Sequence, residues 1–102
     1  MAPRVLVSDK LSETAVQIFR DRGIEVDFEP DLGKNKEKLL SMIDQYDGLA
    51  IRSATKATEK VINAAKNLKV IGRAGIGVDN IDRAAASKKG IIVMNTPFGN
   101  MI

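Results

Sequence analysis

Apolar and polar residues alternate along this chain in blocks that predict strands and helices in turn. Five short runs have the composition of strands and lie at 4–9, 24–28, 48–51, 68–71 and 91–94. Four of them are largely apolar, which is typical of strands buried on both faces of a sheet. The run Ile24–Phe28 instead alternates apolar and charged residues, which favours a half-solvated strand near a sheet edge, and Pro30 ends it.

Helical periodicity and capping residues predict four helices between these strands. The candidate N-caps are Ser12 for the first helix, Thr58 for the third, and Asp79 or Asn80 for the fourth. The second helix follows Gly33 and Asn35 and carries an apolar stripe at Leu39, Leu40, Ile43 and Tyr46. Gly23 and Gly90 occupy C-cap positions.

Alternating strands and helices joined by short loops predict right-handed crossovers and a parallel sheet. We therefore expect an α/β fold with a flavodoxin-like, doubly wound, five-stranded sheet of order 2-1-3-4-5. No long helix follows the fifth strand. We expect part of one sheet face to lack helical cover, so that the domain is incomplete over this length.

Composition narrows the possible functions. The chain has 102 residues, enough for one domain, with 16 Lys or Arg against 13 Asp or Glu, hence a formal charge of +3. It contains no cysteine and no histidine, so it offers no disulfide, no cysteine zinc site, no thiolate nucleophile and no histidine base. We expect no metal site and no catalytic residue within the chain.

The distribution of charge and hydropathy argues against two classes of partner. No stretch approaches the roughly 20 apolar residues of a membrane helix, so we expect a cytoplasmic protein without a membrane partner. The basic residues are interleaved with acids and aromatic residues make up only 4%, so we expect no nucleic-acid partner.

Two arginines follow neighbouring strands at the edge where open parallel sheets bind ligands. Arg52 comes after the third strand and Arg73 after the fourth. Neighbouring strands lie roughly 4.8 Å apart, so both guanidinium groups could reach one small anion. The alternative is that each arginine is an ordinary loop-end surface residue.

A glycine-rich loop, Gly75-Ile76-Gly77, follows Arg73 and leads into the fourth predicted helix. Its backbone N–H groups suit a carboxylate or phosphate, although a tight turn explains the glycines equally well. It does not fit the dinucleotide fingerprint, because Asn80 occupies the sixth position and the fifth strand ends in Asn95 without an acidic ribose ligand.

Other chemistries of this fold class fit poorly. Asp9 ends the first strand as the acceptor of a receiver domain would, but the third strand ends in Arg52 where clustered carboxylates would be needed. A flavin site is disfavoured because the chain has no tryptophan and one tyrosine. Asp79 and Asp82 are interpreted as a cap and a surface charge.

Three segments together resemble the D-isomer-specific 2-hydroxyacid dehydrogenases, and within them the enzymes that act on 3-phosphoglycerate. They are Ile51–Lys56, Gly72–Asn80 and Asn95–Asn100. The resemblance implies that residues 1–102 are the N-terminal part of a substrate-binding domain. It implies that the nucleotide-binding domain, with the catalytic residues and the true dinucleotide loop, follows elsewhere in the parent. A later segment of the parent would return to complete the first domain.

The resemblance also implies roles for particular residues. The substrate-binding set would be Arg52, Ser53, Arg73, Gly75, Ile76, Gly77 and Asn100. Arg52 would contact the substrate, Arg73 would help hold its phosphate end, and Ile76 would touch the nicotinamide of NAD in the closed enzyme. NAD would be bound mainly by the absent domain, and the parent would be a homo-oligomer. Ala54 stands where some relatives carry a second basic residue, and Met101 where they often carry a small hydroxyl residue.

The implied function is part of an NAD-dependent oxidation of 3-phospho-D-glycerate to 3-phosphohydroxypyruvate, the first step toward serine, with this fragment inactive alone. One alternative is the substrate domain of a relative that acts on an unphosphorylated acid, such as a glyoxylate or hydroxypyruvate reductase. Another is a stand-alone anion-binding module.

Overall fold

One five-stranded parallel sheet, of order β2-β1-β3-β4-β5, organises the computed structural model of the chain. The structure describes residues 3–11, 13–52, 54–74 and 80–96. The strands are β1 (Arg4–Val7), β2 (Glu25–Phe28), β3 (Gly48–Ile51), β4 (Val70–Ala74) and β5 (Ile92–Thr96). The helices are α1 (Glu13–Asp21), α2 (Lys36–Met42), α3 (Glu59–Ala64) and α4 (Arg83–Lys88), and short 3₁₀ turns at Leu32–Lys34 and Ile43–Gln45 flank α2. The predicted fold class and strand order are confirmed.

Glycines end α1 and α4 in the same way, as the sequence predicted. Gly23 and Gly90 have φ angles of 79° and 72°, in the left-handed region that glycine adopts at little cost. After α1, Gly23 N–H donates to Arg20 O and Ile24 N–H to Phe19 O. These two bonds form a Schellman motif, and α4 ends with the equivalent pair. Each helix therefore stops within a few residues of the strand that follows it.

The fourth helix begins later than predicted, and the N-cap assigned to Asn80 is wrong. Asp82 is the cap, and its side chain accepts a hydrogen bond from Ala85 N–H at 3.0 Å. Ile81, the residue before Asp82, forms a parallel bridge with Ala57. Asn80 O accepts from Ala57 N–H within this bridge, so Asn80 is unavailable as a helix cap. The other candidate, Asp79, lies outside the described residues.

The remaining helix starts agree with the sequence analysis where they are described. Thr58 caps α3 by accepting from Val61 N–H, and Asn35 caps α2 by accepting from Lys38 N–H. Ser12 lies outside the described residues. The fifth strand starts at Ile92 rather than at Ile91, because Ile91 N–H is used in the motif that ends α4.

The core lies mainly on one face of the sheet, under α2, α3 and α4. Its fully buried side chains include Leu6, Leu49 and Ile71 from three adjacent strands, which share one register row. Removing such a side chain from water stabilises the fold by about 1.5–3 kcal/mol. On the opposite face a smaller cluster forms around Val7 and Ala50, on the side where α1 packs against β2.

That opposite face is open over β5, as expected from the lack of a further long helix. Ile92 is 63% exposed and Met94 is 46% exposed. Ile92 and Met94 align in register with Val70 and Gly72 of β4. Gly72 aligns in turn with Ala50, which belongs to the cluster on the α1 side, so Ile92 and Met94 lie on that same face of the sheet. Part of this sheet face is therefore apolar and has no helical cover among the residues that the structure describes.

The alternation of apolar and charged residues in β2 predicted that its charged side chains face solvent, but Asp27 instead makes several contacts. The Asp27 carboxylate accepts a hydrogen bond from the Tyr46 hydroxyl and another from Arg4 Nη2 at 3.2 Å. The Arg4 guanidinium lies 5.1 Å from the centre of the Tyr46 ring. Burial and the Asp27 carboxylate together raise the pKa of Tyr46 to about 12.

The pKa of Tyr46 predicts a loss of stability at high pH. The unfolded chain ionises its tyrosine near pH 10 and the folded chain near pH 12, so this contribution is complete below pH 10 and is lost as pH rises toward 12. The expected loss is about 2 kcal/mol across that window. Phenolate absorbance reports Tyr46 alone, since it is the single tyrosine. In urea titrations at pH 9 and 11.5, Tyr46→Phe should lose this part of the pH dependence; an unchanged dependence would contradict the assignment.

Candidate functional site

Three buried polar residues join the loops at the carboxyl edge of the sheet. Ser8 and Asp9 follow β1, Thr55 lies in the loop after β3, and each is at most 2% exposed. Asp9 Oδ2 accepts from Arg52 N–H at 2.6 Å and Thr55 N–H at 3.0 Å, and Oδ1 accepts from Thr55 Oγ1 at 2.8 Å. Ser8 Oγ lies 2.7 Å from Thr55 Oγ1. The carboxylate therefore fixes the main chain of the β3 loop on both sides of residue 53.

Gly33 brings the loop after β2 against the same cluster. Its N–H donates to Ser8 O at 2.9 Å. A Cβ at this position would overlap the Asp9 carboxylate and the Thr55 hydroxyl, and would lie 2.9 Å from Thr55 N. The glycine is required here by this close approach. Loops from β1, β2 and β3 thus share one buried polar centre.

The side chain of Asn80 links the β3 loop to β4 through hydrogen bonds. Its Nδ2 donates to Arg52 O and to Thr55 O, each at 2.6 Å. Its Oδ1 accepts from Arg73 Nε at 2.7 Å. One amide side chain therefore spans from the backbone of one predicted binding arginine to the guanidinium of the other. Sequence analysis missed this role, since it treated Asn80 as a helix cap.

The two predicted binding arginines lie on adjacent strands of this edge. Arg73 is half-buried in β4 and pairs in register with Ile51, the residue before Arg52. Arg52 is exposed, and its Nη1 donates to Lys10 O at 3.3 Å, toward β1. The arginines thus share Asn80 as a common partner while their guanidinium groups contact different groups. That both close on one anion stays a prediction.

A shallow cleft of about 180 Å³ opens between the loops after β1, β2 and β3. It is lined by Asp9, Lys10, Pro30, Lys34, Arg52 and Ala54. Its position is the topological switch point of the sheet, where the chain turns to one side of β1 for β2 and to the other side for β3. Ligands of open α/β sheets bind at this place. We call it the switch-point cleft.

Five of the predicted binding residues lie outside the described residues. They are Ser53, Gly75, Ile76, Gly77 and Asn100. Their roles remain predictions that follow from the resemblance. Arg52 and Arg73 are the two members of the predicted set that the described residues include.

Two features are absent from the part of the chain that the structure describes. No group of three or more His, Cys, Asp or Glu side chains in this part of the chain is arranged to hold a metal ion. No helix there is both long and apolar enough to cross a membrane.

Comparison with protein families gives a match over nearly the whole sequence. The family described as D-isomer specific 2-hydroxyacid dehydrogenase, catalytic domain, matches residues 5–102. D-3-phosphoglycerate dehydrogenase of Sus scrofa is 50% identical over 99 residues, which cover 97% of this chain and 18% of the pig protein. The protein of the same name from Archaeoglobus fulgidus is 48% identical over the same shares.

Solved structures show the same fold. An NAD⁺-bound 3-phosphoglycerate dehydrogenase from Entamoeba histolytica matches with a TM-score of 0.83 and 36% identity, covering 95% of this chain and 33% of that one. The PH0520 protein of Pyrococcus horikoshii matches with a TM-score of 0.84 and 33% identity, covering 94% of this chain and 28% of that one. The chain thus spans about a fifth of the curated relatives' length and about a third of these crystallised chains.

Replacing Asp9 separates its role as a hydrogen-bond acceptor from its charge. Asp9→Ala leaves the half-buried N–H of Arg52 and the buried N–H of Thr55 without an acceptor and should destabilise the chain by about 2–4 kcal/mol. Asp9→Asn should cost less, because its oxygen can face both N–H groups while its amide donates to the Thr55 hydroxyl. Urea unfolding checks both variants, with the exposed Asp31→Ala as control. Equal losses for alanine and asparagine would contradict this account.

Asn80 is predicted to stabilise the loop through its donor group. Asn80→Asp keeps the acceptor for Arg73 but sets a carboxylate against the two carbonyl oxygens of Arg52 and Thr55. We expect a loss of about 1–3 kcal/mol, at least as large as that of Asn80→Ala. Urea unfolding measures both, with Asn63→Asp on the exposed face of α3 as matched control. A stability for Asn80→Asp equal to that of the original chain would refute this role.

Proposed function

This chain belongs to the D-isomer-specific 2-hydroxyacid dehydrogenases, and we propose that it forms the substrate-binding part of an NAD-dependent D-3-phosphoglycerate dehydrogenase. The proposal assigns residues 1–102 to the first part of a substrate-binding domain, with the nucleotide-binding domain elsewhere in a longer polypeptide. The reaction is the oxidation of 3-phospho-D-glycerate to 3-phosphohydroxypyruvate, the first step toward serine. Identity of about half the residues to enzymes of that name supports this substrate class.

The observation that carries the proposal is the linked pair of arginines at the carboxyl edge. Arg52 has its main chain bound by Asp9 and Asn80, and Arg73 has its guanidinium bound by Asn80. A substrate with a carboxylate and a phosphate needs two cationic contacts, and guanidinium groups bind both anions with paired hydrogen bonds. Because Asn80 links the two positions, their separation is set before substrate arrives, which favours orientation of C2 toward the cofactor.

The switch-point cleft is too small to hold NAD by itself. Sites for ligands of drug size usually enclose about 300–1,000 Å³, whereas the switch-point cleft encloses about 180 Å³. A dinucleotide is too large for it. When bound by the other domain, NAD would accept a hydride, and the residues described here act only on the substrate. A contact between Ile76 and the nicotinamide is part of the proposal, as is a homo-oligomeric, cytoplasmic parent enzyme.

The exposed sheet face fits the proposed domain organisation. The apolar side chains of Ile92 and Met94 lie on the same sheet face as α1, and they are exposed because α1 does not reach over β5. A returning segment of the longer polypeptide would bury these side chains, and burial would stabilise the sheet. The proposal therefore predicts that the isolated chain is less stable than the same residues within the whole enzyme.

Arg52 provides the direct test of the proposed function in the longer polypeptide. Arg52→Ala should raise KM for 3-phosphoglycerate about tenfold to hundredfold, because a charged, bidentate contact to the substrate is lost. Arg52→Lys should recover part of the loss, and Arg83→Ala, an exposed arginine on α4, should leave KM unchanged. The isolated 102-residue chain should show no dehydrogenase activity. Steady-state assays with NAD measure all of these.

Two results would overturn the proposal. An unchanged KM in Arg52→Ala would remove Arg52 from substrate binding. Efficient turnover of glyoxylate or hydroxypyruvate that 3-phosphoglycerate does not inhibit would instead assign the enzyme to unphosphorylated acids.

A further inference from the structure

Three hydrogen bonds fix which way the side-chain amide of Asn80 faces. Its Nδ2 donates to Arg52 O and Thr55 O, each at 2.6 Å, and its Oδ1 accepts from Arg73 Nε at 2.7 Å. Carbonyl oxygens only accept and a guanidinium only donates, so an amide turned the other way would lose all three bonds. The amide of Asn80 therefore has one orientation, and both of its ends are used.

The backbone of Asn80 is held by the same loop that carries Arg52. Asn80 O accepts from Ala57 N–H at 2.8 Å, and Ala57 O accepts from Asp82 N–H at 2.9 Å. These bonds belong to the parallel bridge between Ala57 and Ile81. The main chain and the side chain of Asn80 thus both depend on the segment after β3, and a shift of that segment would move Asn80 with it.

The side chain of Arg73 is oriented by this arrangement. Its backbone is fixed in β4, where it pairs in register with Ile51 and Asn95, and its guanidinium donates to Oδ1 of Asn80. Fixing a long side chain costs conformational entropy, and the folded chain has already lost part of that freedom before a ligand binds. Because Asn80 is a neutral acceptor, this bond orients the guanidinium without cancelling its charge.

The bond between Arg73 and Asn80 also joins the two ends of the glycine-rich segment. These residues are seven positions apart, and Gly75, Ile76 and Gly77 lie between them in the sequence. One amide therefore connects three parts of the predicted binding set, namely the loop of Arg52, the guanidinium of Arg73 and the segment that follows Arg73.

We propose that Asn80 is a positioning residue of the substrate site, which acts through Arg52 and Arg73 rather than by contact with the substrate. The proposal rests on the proposed function, which supplies the substrate, and it adds a residue that the predicted binding set does not contain. Loss of the amide would remove one anchor of the Arg73 guanidinium and the bond to the Arg52 carbonyl together. Small displacements of groups that orient a substrate lower the rate steeply, so kcat should fall as well as KM rise.

The test is a double-mutant cycle in the longer polypeptide, with kcat/KM for 3-phosphoglycerate at saturating NAD as the readout. Asn80→Ala should lower kcat/KM about tenfold to thirtyfold. In a chain that already carries Arg73→Ala, the same change should lower kcat/KM no more than about threefold, because one of the two residues through which Asn80 acts is already gone. In a chain that carries Arg83→Ala, at an exposed position of α4, the full effect should return.

A core variant separates this role from a general loss of stability. Ile62→Val shortens a fully buried side chain of α3 in the main core cluster and should leave kcat/KM unchanged. The assays are made at a temperature at which circular dichroism shows every variant folded. An effect of Asn80→Ala no larger than that of Ile62→Val overturns the proposal.

The cycle also distinguishes failure of this proposal from failure of the proposed function. If Asn80→Ala lowers kcat/KM by the same factor with and without Arg73, Asn80 acts independently of that arginine; the proposal is then overturned while the proposed function stands. If Arg52→Ala and Arg73→Ala each leave kcat/KM unchanged, the proposed function is overturned and this inference with it.

Discussion

The buried carboxylate of Asp9 is the constraint on which the carboxyl edge of the sheet depends. Burying a charged group costs several kcal/mol unless its hydrogen bonds are replaced. Here the replacement comes from the backbone of the β3 loop and from one hydroxyl, so the loop can adopt only the path that brings Arg52 N–H and Thr55 N–H to the same oxygen. The hydrogen bonds that offset the burial of Asp9 therefore also fix the geometry of the β3 loop.

This geometry fixes the backbone of Arg52 but leaves its guanidinium group exposed. Its N–H is bound by Asp9 and its carbonyl by Asn80, while its guanidinium is exposed and donates to the carbonyl of Lys10. A side chain that starts from a fixed backbone loses less freedom when it binds a ligand. Gly33 contributes to the same end, because any larger residue would push the β2 loop away from Asp9.

Sequence patterns were sufficient for the architecture and insufficient for these contacts. Strand composition and the glycines at 23 and 90 predicted the strand order and two helix ends, since both depend on local chemistry and on connection rules. The role of Asn80 was missed because a bridge between Ile81 and Ala57, 24 residues apart, takes precedence over local capping. Asp9 was considered only as a reactive group. The sequence indicates the structural role of Asp9 only through the polar pair Ser8 and Asp9 directly after a buried strand. That pair does not reveal which loop the carboxylate binds.

Charges at the amino edge of the sheet are paired, whereas the cations of the switch-point cleft at the carboxyl edge are not, and this difference indicates where function lies. At the amino edge, Arg4 pairs with Glu25 and Asp27, and Lys69 lies near Asp47. In the switch-point cleft at the carboxyl edge, the Asp9 carboxylate accepts hydrogen bonds from the backbone of the β3 loop. Lys10, Lys34 and Arg52, which line the same cleft, have no carboxylate partner among the described residues. Stability alone would favour pairing at both edges, since unpaired like charges repel. A cleft whose lining cations have no acidic partner, beside loops fixed by a buried carboxylate, is what a site for an external anion requires.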